Sequence, residues 1–250
     1  MYSIDNSSRS LFSSIINKTD LLRRKIVNKA DVIQTVYDVY NSRSIIARRM
    51  SGRGSINVKP ILDSIGNRLW VYFNGNPNMA LNQINFDTFL YEICDYFKDE
   101  YNKLASTAKI NKIEFGVAQK LINMVFKYLS CYEDYMVFAD LFKYSHMPID
   151  SYVLHYFNIM KIVSKISSRF SSTMISPNAK YDDLTWSNLS KEKYEKLVME
   201  YRINLGKTYK DYTSLHEEYY IWQMVKNRSI GNIIFNHSSP LPGSKLMFCY

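Results

Sequence analysis

Four polar side chains, Gln119, Lys120, Asn123 and Lys127, interrupt the most apolar long window of the sequence, FGVAQKLINMVFKYL. At about 100° per residue on a helix they fall, with Gly116 and Ser130, on one stripe about 100° wide. Val117, Leu121, Ile122, Val125, Phe126 and Leu129 fill most of the remaining circumference, which describes a central helix. Two amides and two ammonium groups on one stripe have two uses. They can hold an anionic small molecule, or they can satisfy one another and a neighbouring backbone, because buried amides have to be hydrogen-bonded. Gly116 costs a helix about 1 kcal/mol against Ala. Its place on the stripe points to the close approach of something polar and argues against a plain solvent face.

A second group lies some twenty residues on, in His146-Met-Pro-Ile-Asp-Ser151. His146 and Asp150, four residues apart, have the types needed for an acid/base pair, a proton acceptor oriented by a carboxylate. The competing role is structural. Pro148 biases Met147 away from helix, and Asp150 or Ser151 caps the helix that follows. The expectation is that the stripe touches this turn ahead of any ligand. FGVAQKLINMVFKYL followed by HMPIDS resembles a family of uncharacterised bacterial and phage proteins over about residues 113 to 156. That resemblance implies an all-α fold and no assigned activity.

Charge marks a third region. Residues 1 to 60 hold eleven Lys or Arg against four Asp, whereas the other 190 residues hold 21 basic against 19 acidic, within a net charge of +9. No acidic residue stands between Asp38 and Asp63. Such a field attracts phosphate backbones or acidic protein faces. Arg23, Arg24, Arg43, Arg48, Arg49 and Arg53 are the candidate contacts, since guanidinium grips phosphate bidentately. Tyr37 and Tyr40 stand nearby and suit core packing better than base stacking.

Several chemistries are excluded. Cys94, Cys131 and Cys249 have neither disulfide nor zinc spacing, and the four histidines are not paired at three or four residues, so no metal or cofactor is expected. Ser51-Gly-Arg-Gly-Ser55 is not a P-loop, and HExxH and GxSxG are absent. No Arg precedes a His at the four-to-six-residue spacing of helical HEPN-type ribonucleases. His216-Glu-Glu-Tyr-Tyr220 reads as a solvated helix edge. No signal peptide or membrane span is recognisable, so a cytoplasmic protein is expected.

Positioning these groups calls for helices almost throughout. The periodicity predicts helices over about 19–29, 30–50, 59–73, a long one capped by Asn85, 112–131, 134–144 and 152–166. Two more are capped by Ser190 and by Thr213 or Ser214, with a loop over 167–187 and an irregular strap over 228–250. The fold class is all-α, a bundle of about eight to ten helices. One domain over 1–250 is expected; if the chain divides, 1–78 is a basic N-terminal subdomain and 79–250 the bundle.

Two functional classes follow. One is a non-catalytic binding protein whose basic segment contacts nucleic-acid phosphate or another acidic surface. The other is a protein–protein interaction or inhibitory module, of phage or defence origin. An enzyme acting on an anionic small molecule at the 119–150 seam is the weaker third.

Overall fold

The computed structural model describes residues 9–10, 12–13, 19–42, 55–74, 82–134, 139–159, 185–208, 214–215, 217–219 and 221. A 3-10 turn (Thr19–Arg23) leads to α1 (Lys29–Asn41), α2 (Lys59–Phe73), α3 (Gln83–Ala108), α4 (Phe115–Leu129), the single turn α5 (Ala139–Phe142) and α6 (Ser151–Ile159). A second 3-10 turn (Trp186–Asn188) precedes α7 (Lys191–Thr208). No strand occurs among the described residues, and the fold is all-α. None of these helices is long and apolar enough to cross a membrane.

Caps explain several boundaries. Asn28 starts α1 with a capping box: its side chain accepts from Ala30 N at 2.7 Å, while Asp31 accepts from the Asn28 N–H at 2.8 Å. That helix ends at Asn41, well short of residue 50, because extended Ser42 closes it by donating to Val39 O. Residues 43–54, including the Ser51–Ser55 stop apart from Ser55 itself, lie outside the described residues. α2 has its expected limits, with Pro60 in the first turn. α3 is capped three residues earlier than expected: Asn82, in extended conformation, accepts from Asn85 N at 2.9 Å. Lys109 at φ 55° closes it. Residues 19–28 give a 3-10 turn and a non-helical link instead of a helix; of the predicted 134–144 helix, α5 is described, and residues 135–138 lie outside the described residues. Most of the 167–187 loop and all of the 228–250 strap fall outside the described residues.

All fifteen residues of α4 are buried. α1, α3, α7 and the Trp186–Asn188 turn surround it. Burying Leu121, Ile122, Val125, Phe126 and Leu129 fully is worth about 1.5–3 kcal/mol each. Buried apolar side chains from Phe12 to Ile221 form one continuous cluster. Within it α1 crosses α2 so closely that a Cβ on Gly66 would sit 2.4 Å from Ile33 Cγ1.

Candidate functional site

The polar stripe of α4 lies wholly inside the molecule. Gln119 and Asn123 are 0% exposed, Lys127 2% and Lys120 7%. The end nearer the helix start meets the HMPIDS turn, as expected. Gln119 Nε2 donates to Ile149 O at 2.7 Å, and Ile149 N returns a bond to Gln119 Oε1 at 3.1 Å. Asn123 Nδ2 donates to Gln119 Oε1 at 3.0 Å and to Tyr194 Oη at 2.9 Å. An amide that pairs both ways with a backbone peptide fixes the turn as an added strand would, and desolvation makes each bond costly to break.

Gly116 is explained by a neighbour that periodicity cannot reveal. Its N–H donates to Leu189 O at 2.9 Å, and a Cβ there would stand 1.8 Å from Trp186 O. The polar group that approaches the stripe is thus the backbone of the second 3-10 turn. Lys120 lies against the same turn, its Nζ 4.4 Å from the Trp186 ring centroid and 3.6 Å from Asp150 Oδ2. Asp150 caps α6 through Tyr152 N at 2.9 Å and Val153 N at 3.1 Å. His146 and Asp150 do not form a pair with each other.

His146 belongs to a different array. Its Nδ1 is 2.8 Å from Tyr194 Oη, and its Nε2 is 2.8 Å from Asp87 Oδ1 and 2.6 Å from Arg202 Nη2. Arg202 grips both Asp87 oxygens, at 2.6 and 2.9 Å. Burial, together with the Arg202 charge and against the pull of Asp87, lowers His146 to about 4. The ring is therefore neutral at pH 7. Burial pushes the Asp87 carboxyl up, but hydrogen bonds from His146 and Arg202 outweigh it and hold Asp87 well below the usual carboxylate range. A hydroxyl, an imidazole and a carboxylate in series have the connectivity of an activated nucleophile. Here Tyr194 and His146 are both 0% exposed, and burial drives the Tyr194 hydroxyl well up. The array joins α3, α4, α7 and the turn, with its hydroxyl and imidazole buried while Asp87 and Arg202 are 20% and 26% exposed.

The far end of the stripe holds a buried ion pair. Lys127 Nζ bonds Glu218 Oε2, both side chains 2% exposed, with the Phe12 and Tyr219 rings 4.3 and 4.5 Å from the ammonium. Burial pushes the Glu218 carboxyl up despite Lys127. Glu217 next to it accepts from the Tyr156 and Tyr201 hydroxyls. Glu217 and Glu218 are thus core residues, which corrects the reading of 216–220 as a solvated edge. A Lys on the buried stripe of a central helix requires an acid, and that signal is present in the sequence. Arg9 was counted with the basic field, but its guanidinium is buried on the carbonyls of Ser130 at 3.1 Å, Cys131 at 2.9 Å and Tyr132 at 2.5 Å, where it closes the C-terminus of α4.

Among the basic candidates, Arg23 is exposed. Arg24 bonds Asp20 at 2.7 Å and Asp38 at 2.6 Å. Arg43, Arg48, Arg49 and Arg53 lie outside the described residues. Tyr40 is 5% exposed and in the core, and Tyr37 donates to Asp63 at 2.9 Å. No group of His, Cys, Asp and Glu suited to a metal occurs among the described residues. No protein-family model, curated protein or solved structure matches the chain.

Proposed function

We propose that this is a non-catalytic binding protein that grips nucleic-acid phosphate with the basic segment joining α1 to α2. The observation that carries the reading is the commitment of the two acids that bracket the segment. Asp38 is held by Arg24 at 2.6 Å, and Asp63 by Lys59 at 2.7 Å and by Tyr37. No other acid stands between them in sequence, beside Arg43, Arg48, Arg49 and Arg53. The packing of α1 on α2 anchors both ends of the segment. Gln119, the amide nitrogen of Asn123, Lys127 and His146 are bonded to internal partners, which weighs against a small-molecule enzyme at that place.

The test is binding to a labelled duplex of about 20 base pairs from 50 to 200 mM salt. Each neutralised phosphate contributes a slope of about 0.9 in log affinity against log salt. Replacing the four arginines by Ala removes up to about 3.6 of that slope. Absence of binding at 50 mM salt refutes the reading. Capture of one stoichiometric host protein that survives nuclease would move the assignment to the interaction class.

A further inference from the structure

One oxygen of the buried stripe is left over, and the peptide of Ile149 decides which. The Ile149 N–H needs an acceptor, so Gln119 turns Oε1 toward it at 3.1 Å and gives Nε2 to Ile149 O at 2.7 Å. The same Oε1 faces Asn123 at 3.0 Å and can only accept, which obliges Asn123 to present Nδ2. Met147 O, 3.4 Å from that nitrogen, is a second acceptor on the same side, so turning the amide over would set oxygen against oxygen twice. Oδ1 is therefore the atom without a partner: Asn123 is 0% exposed, and no group among the described residues donates to its oxygen. Two ammonium groups flank it, Lys120 three residues before and Lys127 four residues after, spacings that make neighbours on one helix face. Lys127 is bonded to Glu218 and lies against the Phe12 and Tyr219 rings. Lys120 is held more loosely. Its side chain is 9% exposed, and its Nζ stands 3.6 Å from Asp150 Oδ2, beyond a direct hydrogen bond. The Glu218 carboxyl, pushed up chiefly by burial, is also acted on by Lys127, Asp150 and Lys120, so both ion pairs belong to one buried cluster.

We infer that the stripe is a binding site for a single ordered water, which donates to Asn123 Oδ1, accepts from Lys120 Nζ and turns its second proton to Asp150 Oδ2. The chemistry of the surrounding groups selects this occupant. It has to donate to an amide oxygen and accept from an ammonium, and the cluster of two lysines and two carboxylates is already neutral. An anion is repelled by Asn123 Oδ1 and Asp150, a cation by Lys120 and Lys127, and an apolar group would leave the polar atoms unmet. Buried amide oxygens are satisfied by protein or by ordered water, and about three polar partners are usual for such a water. A polar contact stretched past 3.5 Å, as between Lys120 and Asp150, is where a bridging water belongs. The water joins the amide half of the stripe, fixed by Ile149 and Tyr194, to the charged half, fixed by Asp150 and Glu218. The four polar side chains of α4 then act as one network. The site shares no residue with the basic segment, and the inference does not rest on the proposed function.

Water itself is the probe, on the full-length protein. A high-resolution crystal structure is expected to show a peak within about 2.7–3.2 Å of both Asn123 Oδ1 and Lys120 Nζ. In solution, oxygen-17 relaxation dispersion counts the water molecules held for longer than the protein tumbles. Asn123→Leu removes the oxygen and fills its place, and it is expected to lower that count by one. Lys120→Ala takes away one of the three partners and opens the side nearer solvent, and it is expected to shorten the residence time of that molecule tenfold or more. If Asn123→Leu fails to fold, the crystal and the nearly surface position Lys120 still decide. A protein group donating to Oδ1, a peak on Oδ1 more than about 4 Å from Lys120 Nζ, or a dispersion that the folded variants leave unchanged overturns the inference. Crystals grown in bromide that show an anomalous signal at the peak would assign the site to an anion and also overturn it.

Discussion

Lys127→Met is the sharpest test of the interior. The substitution preserves the length and most of the volume of the side chain, but it strips Glu218 of the cation bonded to it in a site 2% exposed. Burial already pushes the Glu218 carboxyl up from 4.5, and without Lys127 it rises further, so the native protein takes up a proton sooner than accept a bare buried charge. The cost of holding that proton is about 1.36 kcal/mol per pH unit above the unfolded value. At pH 7.5, three units above, the ceiling is about 4 kcal/mol, in line with the 3–5 kcal/mol typical of a broken buried pair. The sign is definite. A carboxyl raised in the folded state contributes fully below its unfolded pKa and loses that contribution as pH rises. The deficit of Lys127→Met against wild type is therefore expected to be small at pH 5 and to grow toward pH 8. Urea unfolding at four pH values measures it. Lys127→Met with Glu218→Leu removes both charges and is expected to recover all but about 1 kcal/mol, with the added pH dependence gone. A deficit that does not change with pH, or a double variant no better than the single, would refute the buried pair.

Two further outcomes are expected. Gly116→Ala, which on an open helix face would gain about 1 kcal/mol, should lose about 3 kcal/mol or more, since the new methyl meets the rigid Trp186 carbonyl at 1.8 Å; unchanged urea stability would show that α4 does not abut the 3-10 turn. His146, lowered from 6.5 to about 4, is a base whose neutral form the fold selects, so stability is present above pH 6.5 and falls on acidification. The loss between those values is about 3 kcal/mol in wild type and should be absent in His146→Asn, as read by thermal melts across pH 4 to 7.

The stripe on α4, the limits of α2 and the cap at Asp150 were legible because each is a local pattern: a 3.6-residue period, a proline in a first turn, a carboxylate two residues before a free N–H. The partners of the stripe were not. Tyr194 is 71 residues from Asn123, Glu218 is 91 from Lys127 and Asp87 is 59 from His146, separations at which no periodicity carries information. His146 and Asp150 stand at a spacing that allows a pair as well as a cap, yet Asp150 caps α6 and His146 bonds Asp87 and Tyr194, because the turn directs them to different neighbours. Glu217 and Glu218 misled for a related reason. Charged side chains on a helix usually face water, and only the demand of a buried Lys and two buried tyrosines reverses that.

The bond from Gly116 to Leu189 also sets the order in which this chain can be completed. A ribosome delivers the apolar FGVAQKLINMVFKYL helix while the 3-10 turn that seals its first residues is still 57 residues from being started. The acid that neutralises Lys127 is further off still. At about 5–20 residues per second, the central helix waits several seconds without its cover. For that interval its lysine and amides remain hydrated, and they keep this segment from behaving as a bare hydrophobic run. The same four polar side chains that lock the finished core keep its most aggregation-prone segment soluble until the C-terminal third arrives.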